Sequence, residues 1–190
     1  MRKIFVSIFL MFALSASAQV ETMQSVLKEM PDSLLTYLTK NNLLDFIDFA
    51  ASKMDAEVDN TLGGKSRMQK LTDRYVSIAL NEASSLEMKL LPVNEQVDSA
   101  NQIVCMVRTY GKDVRESTVS FYSVKWRKLA TAQYMDSPDA PMFVAVLHEE
   151  EDELTLEPVT KLDAPANEEQ KETRKMSINL KWSNRFLNKI

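Results

Sequence analysis

The run Tyr75-Val76-Ser77-Ile78-Ala79-Leu80, followed by Leu86-Glu87-Met88-Lys89-Leu90, decides the fold class. Val76, Ile78 and Leu80 alternate with Tyr75, Ser77 and Ala79, and Leu86, Met88 and Leu90 alternate with Glu87 and Lys89. A period of two puts one apolar row on one face of a half-buried strand. Downstream, Gln102 to Tyr110 is apolar on both faces until Arg108, as a strand near the middle of a sheet requires. Thr118 to Trp126 is rich in β-branched and aromatic residues, and Gly111-Lys112-Asp113 joins that pair. Met142 to Leu147 and Leu154 to Val159 flank His148 to Glu153 as a hairpin, and Ser177 to Trp182 makes a last strand. Between them, Arg127 to Met135 reads as a short helix closed by Asp136-Ser137-Pro138 and Pro141. Ala164 to Glu172 is polar, acidic and proline-marked, the composition of a mobile loop.

Upstream of this run the period is helical. Met23, Leu27 and Met30 form one stripe that ends at Pro31, which disfavours the α conformation in the residue before it. A second helix is expected from Asp32 or Ser33 with Leu34, Leu35 and Leu38 inward, broken at Asn41-Asn42. A third follows, with Leu43, Ile47, Ala50 or Ala51, and Met54 on one side and Phe46 beside them. Helices first and consecutive strands afterwards predict one α+β domain over residues 19–190. In it, N-terminal helices pack on one face of an antiparallel sheet of about seven strands.

Residues 1–18 read as a secretory signal peptide. Arg2 and Lys3 precede an apolar run from Ile4 to Leu14 that is too short for a permanent span, and Ala16-x-Ala18 supplies the small side chains a signal peptidase accepts. No cysteine follows the cut to carry a lipid anchor, and no second long apolar run would hold the mature chain in a membrane. The expected location is therefore the periplasm or the exterior. Losing Arg2 and Lys3 takes the net charge from −4 to about −6. The dispersed basic residues argue against nucleic acid, whose phosphates need clustered Lys and Arg. Cys105 has no partner in its own chain and, between Val104 and Met106, reads as a small buried hydrophobe.

The motif strings resolve mostly into structural uses. Gly63-Gly64-Lys65-Ser66 resembles the end of a phosphate-binding loop, but Asp59 stands where that loop needs its first glycine. Ser66-x-x-Gln69 reads better as a capping box opening a short helix through Met68 and Leu71. His148, the only histidine, leads into Glu149-Glu150-Glu151-Asp152-Glu153. Such a cluster offers oxygens to Ca²⁺, but it lacks the glycine and the alternating spacing of a calcium loop, and a solvated hairpin tip is expected. Glu82 with Glu87, or Asp113 with Glu116, are the carboxylate pairs a glycosidase-type hydrolase would draw on. Trp126 and Trp182, in the echoing strings Val124-Lys125-Trp126-Arg127 and Leu180-Lys181-Trp182-Ser183, would stack on sugars if exposed; packing in the core or at a sheet edge is the expected use.

Three strings also carry a family resemblance: Met30-Pro31-Asp32-Ser33-Leu34-Leu35-x-Tyr37-Leu38, Gly63-Gly64-Lys65-Ser66 followed by Leu71-Thr72, and Tyr122-Ser123-Val124-Lys125-Trp126. In order and spacing the chain resembles a secreted Bacteroidales family described only as a domain of unknown function, number 3256. The resemblance covers nearly the whole mature chain and implies an envelope or secreted protein, with no catalytic residue to carry over. The sequence thus assigns no catalytic, cofactor-binding or metal-ligating residue and no cofactor. Its leading reading is a non-enzymatic binding or interaction domain with a protein or glycan partner in the cell envelope. The competitors are an envelope or polysaccharide hydrolase using a carboxylate pair, and a carbohydrate-binding module using Trp126 or Trp182.

Overall fold

The computed structural model describes residues 20–93, 102–138, 142–159 and 177–190; the leader, its cleavage point and the 164–172 loop lie outside them. Two helices come first, α1 (Met23–Lys28) and α2 (Lys40–Ala51). They are followed by β1 (Glu57–Asp59), β2 (Lys65–Leu71), β3 (Tyr75–Asn81), β4 (Ser84–Pro92), β5 (Gln102–Tyr110), β6 (Glu116–Ser123) and β7 (Lys128–Leu129), then β8 (Phe143–Leu147), β9 (Glu153–Pro158), β10 (Ile178–Ser183) and β11 (Phe186–Lys189). The class is α+β, dominated by antiparallel sheet.

The expectation of one sheet of about seven strands is corrected. The described strands form two sheets, β1 to β7 in chain order and β11-β10-β9-β8. The helix expected after Ser66 is strand β2, because Ser66 and Met68 are buried while Lys65, Arg67 and Gln69 are exposed, a period of two that outweighs the capping pattern. Asp32–Leu34 is a single 3₁₀ turn, not a helix. Asn41-Asn42 lies inside α2: Thr39 caps it, its Oγ1 accepting from the Asn42 amide at 3.2 Å while Asn42 Oδ1 accepts from the Thr39 amide at 2.9 Å. The helix stops at Ala51, and Lys53 takes a left-handed φ of 55°, so Met54 is exposed, not on the buried stripe. The helix expected over 127–135 is β7 plus a 3₁₀ turn at Thr131–Gln133.

Two apolar clusters follow from the alternation. Val76, Ile78, Met88, Val104 and Met106 of the large sheet share one buried cluster with Met23 and Leu27 of α1 and Leu43, Phe46 and Ile47 of α2. The alternate residues Tyr75, Leu91, Ile103, Cys105, Val107 and Phe121 form a second with Ala145, Leu147, Leu154, Leu156, Leu180 and Trp182 of the small sheet. Cys105 is fully buried, and burial pushes its thiol pKa up to about 12, which keeps it a neutral packing group. Among the described residues, no helix is long and apolar enough to cross a membrane.

Candidate binding groove

The face of the large sheet that meets the small sheet changes character along its length. Antiparallel register places Ser77 beside Glu87 and Ala79 beside Ser85 on β3 and β4, Ser85 beside Thr109 on β5, and Thr109 beside Ser117 on β6. These small polar side chains continue the rows that, toward the other end, read Lys89, Leu91, Cys105, Ile103 and Phe121. The small sheet covers the apolar end. Its strand β8 lies nearest β4, β5 and β6; Thr109 and Ser117 are buried and bonded to each other at 2.7 Å, while Ser77 and Ser85 stand partly exposed as a shelf beside Val144 to Val146. Shelf and strand enclose an open groove of about 500 Å³, floored by residues such as Gln69, Ser77, Ser85 and Glu87, walled by Val144 to Val146 and closed by the Gly111 to Arg115 turn. Gly111 has φ of 101°, and a Cβ there would stand 1.8 Å from the Val114 carbonyl oxygen, so this turn admits only glycine.

Of the ionic groups that line the groove, Glu82 and Lys112 pair with each other, whereas Glu87 is held by neutral donors. Glu87 accepts from the Tyr75 hydroxyl at 2.7 Å and, weakly, from the Leu147 amide at 3.5 Å. Burial of the phenol, reinforced by Glu87, raises the Tyr75 pKa above its ordinary value. Glu82 accepts from Lys112 Nζ at 2.7 Å, and this bond lowers the carboxyl pKa and raises that of the ammonium. Arg115 differs. Its one bond among the described residues is to Ser85 Oγ at 3.5 Å, and no carboxylate there lies within ion-pair distance.

The acidic run His148 to Glu153 is the tip of the β8–β9 hairpin, as its composition predicts, but it is not merely solvated. Lys89, its side chain 1% exposed, sends Nζ up from the large sheet into the tip, donating to the carbonyls of His148 (2.8 Å), Glu149 (2.9 Å) and Glu151. Asp152 Oδ1 stands 3.3 Å away, and Arg74 Nη2 donates to Asp152 Oδ1 at 2.7 Å and to its Oδ2 at 2.9 Å. Burial pushes the Lys89 pKa down while Asp152 opposes it. The backbone carbonyls of the tip are therefore held by the protein's own ammonium, and among the described residues its carboxylates, the oxygens a calcium reading would use, are not gathered into a metal site. Sequence reasoning missed Lys89. The available signal was its place in the row Glu87-Lys89-Leu91, whose far end is buried.

Other singled-out residues separate. Asp113 and Glu116 are both exposed, in the β5–β6 turn and at its edge. Glu82 and Glu87 both line the groove, each tied to a different partner. Lys65 pairs with Asp59 at 2.7 Å in a β-hairpin instead of meeting phosphate. Trp126 and Trp182 are buried, their indole N–H groups donating to the carbonyls of Val26 (2.9 Å) and Pro92 (2.7 Å). Neither ring offers a face to a sugar. Among the described residues no group of three or more His, Cys, Asp or Glu is arranged to hold a metal ion.

Residues 15–166 match the family model described as "Protein of unknown function (DUF3256)". The solved structure of a domain of an uncharacterized protein from Porphyromonas gingivalis W83 is similar, with a TM-score of 0.71 at 18% identity, covering 90% of this chain and 98% of that one. Likeness at that identity establishes the fold alone. No curated protein matches the chain.

Proposed function

Since the chain belongs to the DUF3256 family of proteins of unknown function, we propose that it is a non-enzymatic binding domain of the cell envelope, exported by its leader, with the groove beneath β8 as its ligand site. The observation that carries this reading is the groove itself: a concave polar surface beside β8, lined by both carboxylates and cations. A carboxylate-pair hydrolase needs one acid with a raised pKa, whereas the bond from Lys112 lowers that of Glu82. The described lining has no aromatic ring on which a sugar could stack, which favours a protein ligand over a glycan.

The test is capture from an envelope extract with the mature protein, compared with Ser85→Trp, which fills the groove floor. A partner retained by the wild type and released by the variant is expected. Capture of nothing, or equal capture by both, refutes the reading. Amino-terminal sequencing of the exported protein should begin at Gln19; intact Met1 protein in the cytosol would contradict export.

A further inference from the structure

We infer that the groove reads a pair of opposite charges on another protein, a lysine or arginine seated on Glu87 and an aspartate or glutamate seated on Arg115; this rests on the binding reading above and names what that site recognises. The neutral part of the lining is bonded to itself. Ser77 Oγ donates to Gln69 Oε1 at 3.0 Å, and Thr109 and Ser117 share a bond of 2.7 Å. Glu82 and Lys112 neutralise each other at 2.7 Å. What the lining offers to a ligand is therefore concentrated in Glu87 and Arg115.

Both groups are held in place without being neutralised. Glu87, partly buried on β4, takes its bonds from the Tyr75 hydroxyl at 2.7 Å and the Leu147 amide at 3.5 Å. Both donors are neutral, and a carboxylate keeps lone pairs for further ones. Arg115 leaves the turn that Gly111 shapes, and its one contact among the described residues is Ser85 Oγ at 3.5 Å. A planar guanidinium so placed has paired N–H donors left to grip a carboxylate from two points. Among the described residues, Glu87 and Arg115 form no ion pair with each other or with any other side chain.

Register sets their spacing. Ser85 and Glu87 are alternate residues on one face of β4, about 7 Å apart along the strand. Arg115 reaches the first and the carboxylate belongs to the second, so the groove presents a plus and a minus a short distance apart. A basic and an acidic side chain two positions apart in a polypeptide segment match that distance. A ligand with only one of these charges leaves the other groove charge uncompensated, and a ligand with two like charges is repelled at one end. The recognised feature is therefore the charge pair and not net charge.

The probes are blocked alanine pentapeptides carrying lysine at the second position and glutamate at the fourth, or the reverse order. Controls carry norleucine for lysine or glutamine for glutamate. Titrated into the mature protein and followed by NMR, one order of the charge pair should shift the Ser85 and Glu87 amides, and either control should bind about fivefold or more weakly. Arg115→Gln should make the glutamate and glutamine peptides bind alike, and Glu87→Gln should do so for lysine and norleucine. Arg115 is exposed in a turn, so its arm stands even if Glu87→Gln fails to fold. No groove shift with either order, or undiminished discrimination in Arg115→Gln, overturns the inference. Self-association of the chain that Arg115→Gln abolishes would overturn it in favour of a second copy. Envelope capture lost with Ser85→Trp but kept with Arg115→Gln and a folded Glu87→Gln would leave the binding reading standing and overturn the charge pair.

Discussion

Lys89→Met should destabilise the protein by about 2–4 kcal/mol. The variant keeps most of the side-chain volume and removes the ammonium, leaving the His148, Glu149 and Glu151 carbonyls without their shared donor and Asp152 with Arg74 alone. Removing one member of a buried charged set costs about 3–5 kcal/mol; the tip is partly open to water, which can rehydrate its carbonyls, so the expected loss centres on the lower end of that range. The matched control is Glu149→Gln with Glu151→Gln, which alters carboxylates while keeping the backbone carbonyls that Lys89 uses. It should cost less than about 1 kcal/mol, since among the described residues the one ion pair those carboxylates make is that of Glu149 with Lys70, and it is partly exposed. Urea denaturation followed by tryptophan fluorescence measures both. A loss below about 1 kcal/mol for Lys89→Met, or an equal loss for the double glutamine variant, would refute the idea that the ammonium clamps the two sheets.

Three further outcomes follow from the same contacts. Trp126→Phe leaves the buried Val26 carbonyl without its donor and should cost about 1–3 kcal/mol by urea denaturation; a neutral change would show that the indole bond is not a tie between α1 and the large sheet. Tyr75 has a raised pKa, so its protonated form contributes stability fully present below pH 10 and lost as pH climbs through the folded value; ultraviolet titration of the folded protein should show one phenol ionising after the others, and its ionisation at pH 10 would contradict the Glu87 contact. For Glu82 the sign is opposite: its lowered pKa makes the Lys112 contribution present above the ordinary carboxyl value and lost as pH falls through the folded one. Lys112→Met should therefore move the Glu82 carboxyl, read by NMR, upward, and no movement would remove the pair.

The alternating strands were legible because period two is a local property that β3, β4, β9 and β10 carry, and β5 and β8 were legible as short runs apolar on both faces. What the sequence obscured was long-range or competing. β2 contains a capping string whose helical meaning is overridden by Ser66 Oγ bonding the Leu80 carbonyl and by Met68 entering the core. The division into two sheets is invisible locally, because Leu91, Ile103 and Phe121 look alike whether a helix or a second sheet covers them. Lys89 looks like a solvent-facing residue until the β8–β9 tip folds over it. The shelf was hidden for a related reason: Ser77, Ser85 and Thr109 are separately ordinary, and only register places them side by side.

The most direct measurement is an NMR titration of the mature protein with the partner captured from envelope extract. The account predicts shift changes clustered at Ser77, Ser85, Val144 and Val146, which line the groove. Changes confined to surfaces away from that lining would mean that the groove is not the ligand site.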